Sequence, residues 1–500
     1  MTASIEDKNR HIYPRWRSFR ATSYLGELAV PVVSAVRDTS DLDISLARGI
    51  ASWEESPTLW RGLDLLGSAI VAGKLEEFSS LVNEIRANPL APEMTRKLLG
   101  KSHNLQQVET DSIESPRQSK STLYREIRTH RKHVIEAPRD AIEWIELARG
   151  FTTAGVNNKA HRAIRAALQL APNNRFVLRS AARFLIHIDE KEAAHHLLTK
   201  AGITSHDPWL LASEIAISSS IGRTSNLIKA ARVKMEADIR PSELTELASA
   251  LGTLEAENGK DRIARRFLRQ ALNGANENSV AQIRWLNRSY LGELVDVSNA
   301  NPPLLHEANA WTNFYAGNFE EAKDESLSWL QDQPFASAPA VLSTYILSDI
   351  MGNYQAGREI SKAALAANPE DPMLLNNHAV CLIELGELNE AETVLSRLKL
   401  NEDEGRGRAV HKATFGMLAF RKGDVAEGRR LYLEALSTAK GANLNVIAAR
   451  AAIHLAMEEL IARSPAGEEA IARLKEFKEL ETDNEVSPLL NRLKRILERE

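Results

Sequence analysis

One cysteine, Cys381, in 500 residues leaves no disulfide framework, no zinc knuckle and no Cys-x-x-Cys redox pair. Turn-formers are also scarce. The 25 glycines and 18 prolines fall below the roughly 12% of average usage, so the chain has few breaks, which favours helices over a many-stranded β fold. Neither sign of charge prevails: 63 Lys and Arg against 67 Asp and Glu leave a net charge of −4, too balanced for a generic polyanion binder. Long apolar runs are missing. The stretch Ala29–Val36 is interrupted by Pro31 and Ser34, far short of the roughly 18 apolar residues a membrane span needs. The charged opening MTASIEDKNR has no apolar leader segment. A soluble, cytoplasmic protein that avoids membranes is expected.

What is present is ordinary globular composition, 43% hydrophobic and 26% charged, organised by a repeat. A turn residue recurs at Gly155, Asp189, Gly222 and Gly259, at spacings of 34, 33 and 37. After a gap of 58 it resumes at Gly317, Gly352, Gly386 and Gly423, at 35, 34 and 37. Five residues beyond most of these turns sits a small residue that lets two helices approach: Ala160, Ala194, Ala264, Ala322, Gly357, Ala391 and Gly428. Pro172, Pro334 and Pro369 stop the second helix of their units.

This frame resembles the tetratricopeptide repeat, a helix–turn–helix unit of 34 residues. Ala141–Pro172 matches best, through Trp144, Leu147, Ala148, Phe151, Gly155, Ala160, Ala167 and Pro172. Asp189 and Leu227 depart from the pattern. The resemblance implies an all-α, right-handed α-solenoid with an irregular N-terminal helical region and C-terminal capping helices. The expected division is 1–100, holding a degenerate repeat turning at Gly73; a polar linker, 101–120; a first array, 121–291; a break or hinge, 292–303; a second array, 304–440; and capping helices, 441–500.

Catalytic motifs are sparse. Gly100-Lys101-Ser102 ends like a phosphate loop, but Thr95 stands where the first glycine belongs. Cys381 reads as a core thiol, and Arg128–His133 as a solvated basic helix. The expectation is no enzyme, no cofactor and no metal site. The repeat fold itself hosts many jobs. A non-catalytic interaction scaffold or adaptor is the leading reading, its partner another protein, such as an effector encoded by a neighbouring gene. A nucleic-acid binder and a ligand- or peptide-sensing regulator are the alternatives.

Charge is unevenly spread. Residues 117–183 hold 14 Lys and Arg against 5 Asp and Glu, whereas residues 318–404 hold 5 against 16. In the resembled family the first helix of each unit lines an inner groove. Carried onto this chain, that implies a basic stretch at Arg149, Arg179, Arg183 and Trp209. It also implies an apolar stretch at Leu304, Trp311, Phe314, Leu342, Ile346, Asn376, Val380, Met417 and Phe420. These apolar residues are expected to be surplus to helix packing, and so to be covered by a partner or by the chain's own N-terminal segment or 101–120 loop. The N-terminal segment interleaves Arg15, Arg17 and Arg20 with Tyr13, Trp16 and Phe19, a composition suited to base stacking, to protein hot spots or to packing on the first helices. The six residues SYLGEL occur twice, at 23–28 and 289–294, without a physical account.

Overall fold

The computed structural model describes residues 10–19, 39–72, 74–88, 91, 120–289, 295–398 and 405–498. Gly73, all but the last residue of the 101–120 linker, the Gly100-Lys101-Ser102 motif and almost all of both SYLGEL copies lie outside the described residues. Every regular element among the described residues is helical.

The chain divides into two compact units, Val32–Arg117 and the combination of Met1–Pro31 with Gln118–Glu500. The N-terminal segment therefore groups with the long array, not with the helices that follow it in sequence. In the smaller unit, α1 (Thr39–Glu55), α2 (Leu59–Ala72) and α3 (Ser79–Ala87) pack around Leu46, Leu65, Leu66, Leu81, Val82 and Ile85.

The larger unit opens with α4 (Lys120–Glu136), followed by helix pairs. These are α5 (Ala141–Thr153) with α6 (Asn157–Leu170), α7 (Arg175–His187) with α8 (Lys191–Lys200), α9 (Pro208–Ser220) with α10 (Ile228–Glu236), and α11 (Pro241–Glu257) with α12 (Asp261–Leu272). Next, α13 (Glu277–Ser289) is followed directly by α14 (His306–Ala316), with no return helix among the described residues. Pairing resumes with α14 and α15 (Phe319–Asp332), α16 (Ser337–Tyr345) and α17 (Tyr354–Ala367), α18 (Pro372–Glu384) and α19 (Leu388–Leu395), and α20 (Gly405–Arg421) and α21 (Val425–Gly441). The chain ends in α22 (Asn445–Ile461), α23 (Gly467–Arg473) and α24 (Ser487–Leu497).

Local chemistry explains the boundaries. Asp140, Asn174, Asp207 and Asp371 precede first helices, and their side-chain oxygens accept the free N–H groups of the first turn. All eight expected turn residues, Asp189 included, have left-handed φ between 61° and 90°, the conformation that reverses a helix into the next. The five alanines expected at the helix crossings are fully buried. Gly357 takes that place beside Cys381, whose Sγ would lie 2.9 Å from an added Cβ. Burial pushes the Cys381 thiol up to about 12, so it is packing material rather than a nucleophile.

Two features go beyond the repeat frame. First, the array curls until its first pair meets later ones. A Cβ on Gly155 would lie 1.9 Å from the carbonyl oxygen of Ala366, and Arg149 Nη2 donates to the carbonyl oxygen of Asp332 at 3.2 Å. Second, the C-terminal stretch does more than solvate the last repeat. Asn484 Nδ2 donates to the Tyr315 carbonyl at 3.1 Å and Tyr345 Oη donates to Glu485 at 2.8 Å, while Leu489 and Leu493 join the core of Leu382 and Met417.

Candidate functional site: the inner groove

Residues 10–19 run without helix or strand along the inner faces of α5, α7, α9, α11, α13 and α14. Ile12 is sealed among Leu211, Ile215, Leu247 and Leu251. Trp16 is 0% exposed, edge-on to Phe184 and 5.3 Å from the Phe335 ring. Phe19 meets Phe176 edge to face, and Glu146 accepts from the Phe19 N–H at 2.6 Å and from Ser18 Oγ at 2.8 Å.

Each of the three described arginines in this segment ends on buried acid. Arg10 Nε donates to Glu307 at 2.8 Å, and its other nitrogens reach Gln282 and Asn278. Arg15 pairs with the same Glu307. Arg17 is shared between Glu277 and Asp332. Burial alone would raise the Glu307 carboxyl, but Arg10 and Arg15 outweigh it and hold it well below the usual carboxylate range. Arg10 and Arg17 thus bridge α13 to α14 and α15, across the stretch where the repeat is interrupted. Val280 and Ala281 also pack directly on Leu305 and Ala308 there.

The residues expected in the basic groove are distributed differently. Arg179 is buried, donates to Glu246 at 2.8 Å and lies 4.8 Å over the Trp209 ring, so its charge is already matched. Arg149 is held by the Asp332 carbonyl. Of the three arginines in this set, Arg183 alone has no hydrogen-bond or ion-pair partner among the described residues; it lies 5.0 Å over the Phe335 ring. Where it meets the segment, the groove offers the acids and amides Glu146, Glu277, Asn278, Gln282, Glu307 and Asp332, which hold the segment's arginines and backbone. As for base stacking, Trp16 and the arginines beside it present no open face.

The apolar set splits in two. Trp311, Phe314, Leu342 and Ile346 are buried together in one inter-helix cluster with Ala310, Ala322, Trp329 and Tyr345; they are not surplus to packing. Phe420 packs on Tyr432, and Leu304, at φ 63°, lies near Arg15 and Arg17. By contrast Asn376, Val380 and Met417 line a cavity of about 100 Å³ with Ala409, Ala413, Arg450 and His454. Asp349 also lines it, from the π-helical turn Ile346–Ile350 that ends α16. Such turns often mark functional positions. Burial would raise the Asp349 carboxyl, but Arg450 and then His454 hold it below the usual range.

Sequence reasoning overlooked the acids that hold the segment: Glu146, Glu277, Glu307 and Asp332. A signal existed. α14 reads HEANAWTNFYA, where Glu307 is the one carboxylate of the helix, and such an acid, once buried, needs a partner. Another cluster was read only as basic surface: His130 and His133 both bond through Nδ1 to Glu143 Oε2, at 2.8 and 3.3 Å. These three side chains offer ligand atoms within 4.8 Å of one another and have the composition to hold a divalent cation.

The model of the tetratricopeptide repeat family matches residues 350–413. No curated protein matches significantly. Among solved structures, the chain is similar to a tetratricopeptide repeat protein from Parabacteroides merdae (12% identity, TM-score 0.24, 52% of this chain and 91% of that one). It is also similar to a human IFIT1 dimer with PPP-AAAA (14%, 0.35, 76% and 95%). A third is the APC/C hetero-tetramer Cut9-Hcn1 (11%, 0.35, 94% and 99%). No described helix is long and apolar enough to cross a membrane.

Proposed function

The chain is a tetratricopeptide-repeat protein, and from that premise we propose that it is a non-catalytic scaffold that grips a segment of a partner protein on the inner face of its second array. The observation that carries this is the seating of Arg10–Phe19. An extended stretch is held by side chains from successive inner helices, through buried aromatics and paired charges, which is how a peptide-binding groove works. In the first array that groove is filled in cis. The counterpart face in the second array has an open cavity at Asn376, Val380 and Met417, and we place the partner there. A cytoplasmic effector encoded by a neighbouring gene is the partner this reading favours.

Val380 and Ala413 are half-buried and border that cavity. The double variant Val380→Arg, Ala413→Arg should fill it without disturbing the helix crossings. From a lysate of the source cell, the tagged wild-type chain is expected to retain one protein at stoichiometric amount. The double variant should lose it while its helical circular dichroism is unchanged. Equal retention by the folded variant would contradict the reading.

A further inference from the structure

We propose that the cavity of about 510 Å³ between the N-terminal segment and the inner ends of α7, α15 and α16 is a binding site for a small organic anion, a carboxylate or phosphate group carried on a flat apolar body. The inference goes beyond the scaffold reading and does not depend on it.

Charge supplies the first argument. Arg15, Arg183, His187 and Lys191 contribute to the wall. The carboxylates at the same wall are committed elsewhere. Glu307 is held by Arg10 and Arg15. Asp371 caps α18 by accepting from the Met373 and Leu374 N–H groups. Asp189 is exposed and lies 3.9 Å from Lys191. That leaves Arg183 with an aromatic ring beneath it and no carboxylate. Arg183 is half-buried, and a cation partly taken out of water without a partner carries a desolvation cost. Burial, and then the neighbouring Arg15, push its guanidinium down to about 10, and burial with Arg183 pushes His187 down to about 4.

Hydrogen-bond accounting supplies the second. Arg15 Nε, Trp329 Nε1 and Gln333 Nε2 belong to residues lining this cavity, are buried, and have no acceptor. All three are donors. Buried donors are nearly always satisfied in folded proteins, so residues around this cavity that carry three unmet donors, beside an unpaired guanidinium, favour an acceptor of negative charge there. The Tyr13, Trp311 and Trp329 rings complete the lining and suit a flat body. The volume falls within the roughly 300–1,000 Å³ of small-molecule sites.

The test uses the full chain in chloride buffer, titrated calorimetrically with phenyl phosphate and with benzoate, with thermal unfolding in parallel. At least one probe should bind with 1:1 stoichiometry and raise the melting temperature. Phenyl phosphate alone would identify the phosphate source, benzoate alone the carboxylate. Arg183→Gln should weaken the bound probe by ~10-fold or more, and Trp329→Phe, which removes the indole N–H together with part of the ring, by ~3-fold or more. Without probe, Arg183→Gln should melt no lower than wild type, because it removes a half-buried charge that no carboxylate pairs with. The proposal is overturned if neither probe binds, or if the bound probe is insensitive to both substitutions. It is also overturned if Arg183→Gln unfolds the chain and Trp329→Phe binds as wild type does.

Discussion

Arg17 Nε lies 2.6 and 2.8 Å from the two carboxylate oxygens of Asp332, joining a residue near the start of the chain to the end of α15. Both side chains are almost excluded from water, and Glu277 takes another nitrogen of the same guanidinium. The contact has a consequence for the whole array. Where no return helix follows α13 among the described residues, the N-terminal segment supplies inner-face contacts that hold α13 against α14 and α15.

Phe314 separates packing from binding. It is 2% exposed and touches Trp311, Tyr315, Phe319 and Tyr345 at ring distances of 5.5–6.0 Å. Phe314→Ala should destabilise the chain by about 3–5 kcal/mol, the usual cost of emptying a buried aromatic site. The check is urea denaturation followed by circular dichroism. An unchanged midpoint would show that the ring is not in the core.

Gly155 and Gly222 have nearly the same backbone, φ 72° and 68°, yet only Gly155 faces another backbone. Gly222→Ala should cost about 1–2 kcal/mol, the left-handed penalty for an L-residue. Gly155→Ala should cost clearly more, because its Cβ would strike the Ala366 carbonyl. Equal melting temperatures for the two variants would mean that the first pair does not meet α17.

Much of this fold was legible in the sequence because the repeat is written in small residues. The turn residues and the alanines five positions later set the helix pairs, and even Asp189 took the expected left-handed turn. The groove was less legible. Inner-face positions were counted by type, so Trp311 and Phe314 looked spare when they fill the gap left by Ala310 and Ala322. Arg179 looked like a docking cation because Glu246, its partner, lies two helix pairs away. Only the three-dimensional curl brings Asp332 to Arg17.

Acid should weaken the fold through two histidines. Burial first pushes both His187 and His378 down to about 4, below the roughly 6.5 of the unfolded chain. Their folded-state pKa values are depressed, so the unfolded chain binds more protons between those values. Stability is fully present above about pH 6.5 and declines as the pH falls toward 4. The double variant His187→Gln, His378→Gln should show a flatter stability profile across that window, measured by urea midpoints at several pH values. A parallel decline in variant and wild type would assign the acid sensitivity elsewhere.

The account rests most on the N-terminal segment lying in the groove, and a double-mutant cycle between Arg17 and Asp332 measures that contact directly. Arg17→Ala, Asp332→Ala and the double variant are compared with wild type by urea denaturation. A coupling energy of about 1–3 kcal/mol is predicted for this buried pair. Additive effects, with coupling within about 0.3 kcal/mol of zero, would mean that residue 17 does not sit against residue 332, and would contradict a groove filled in cis.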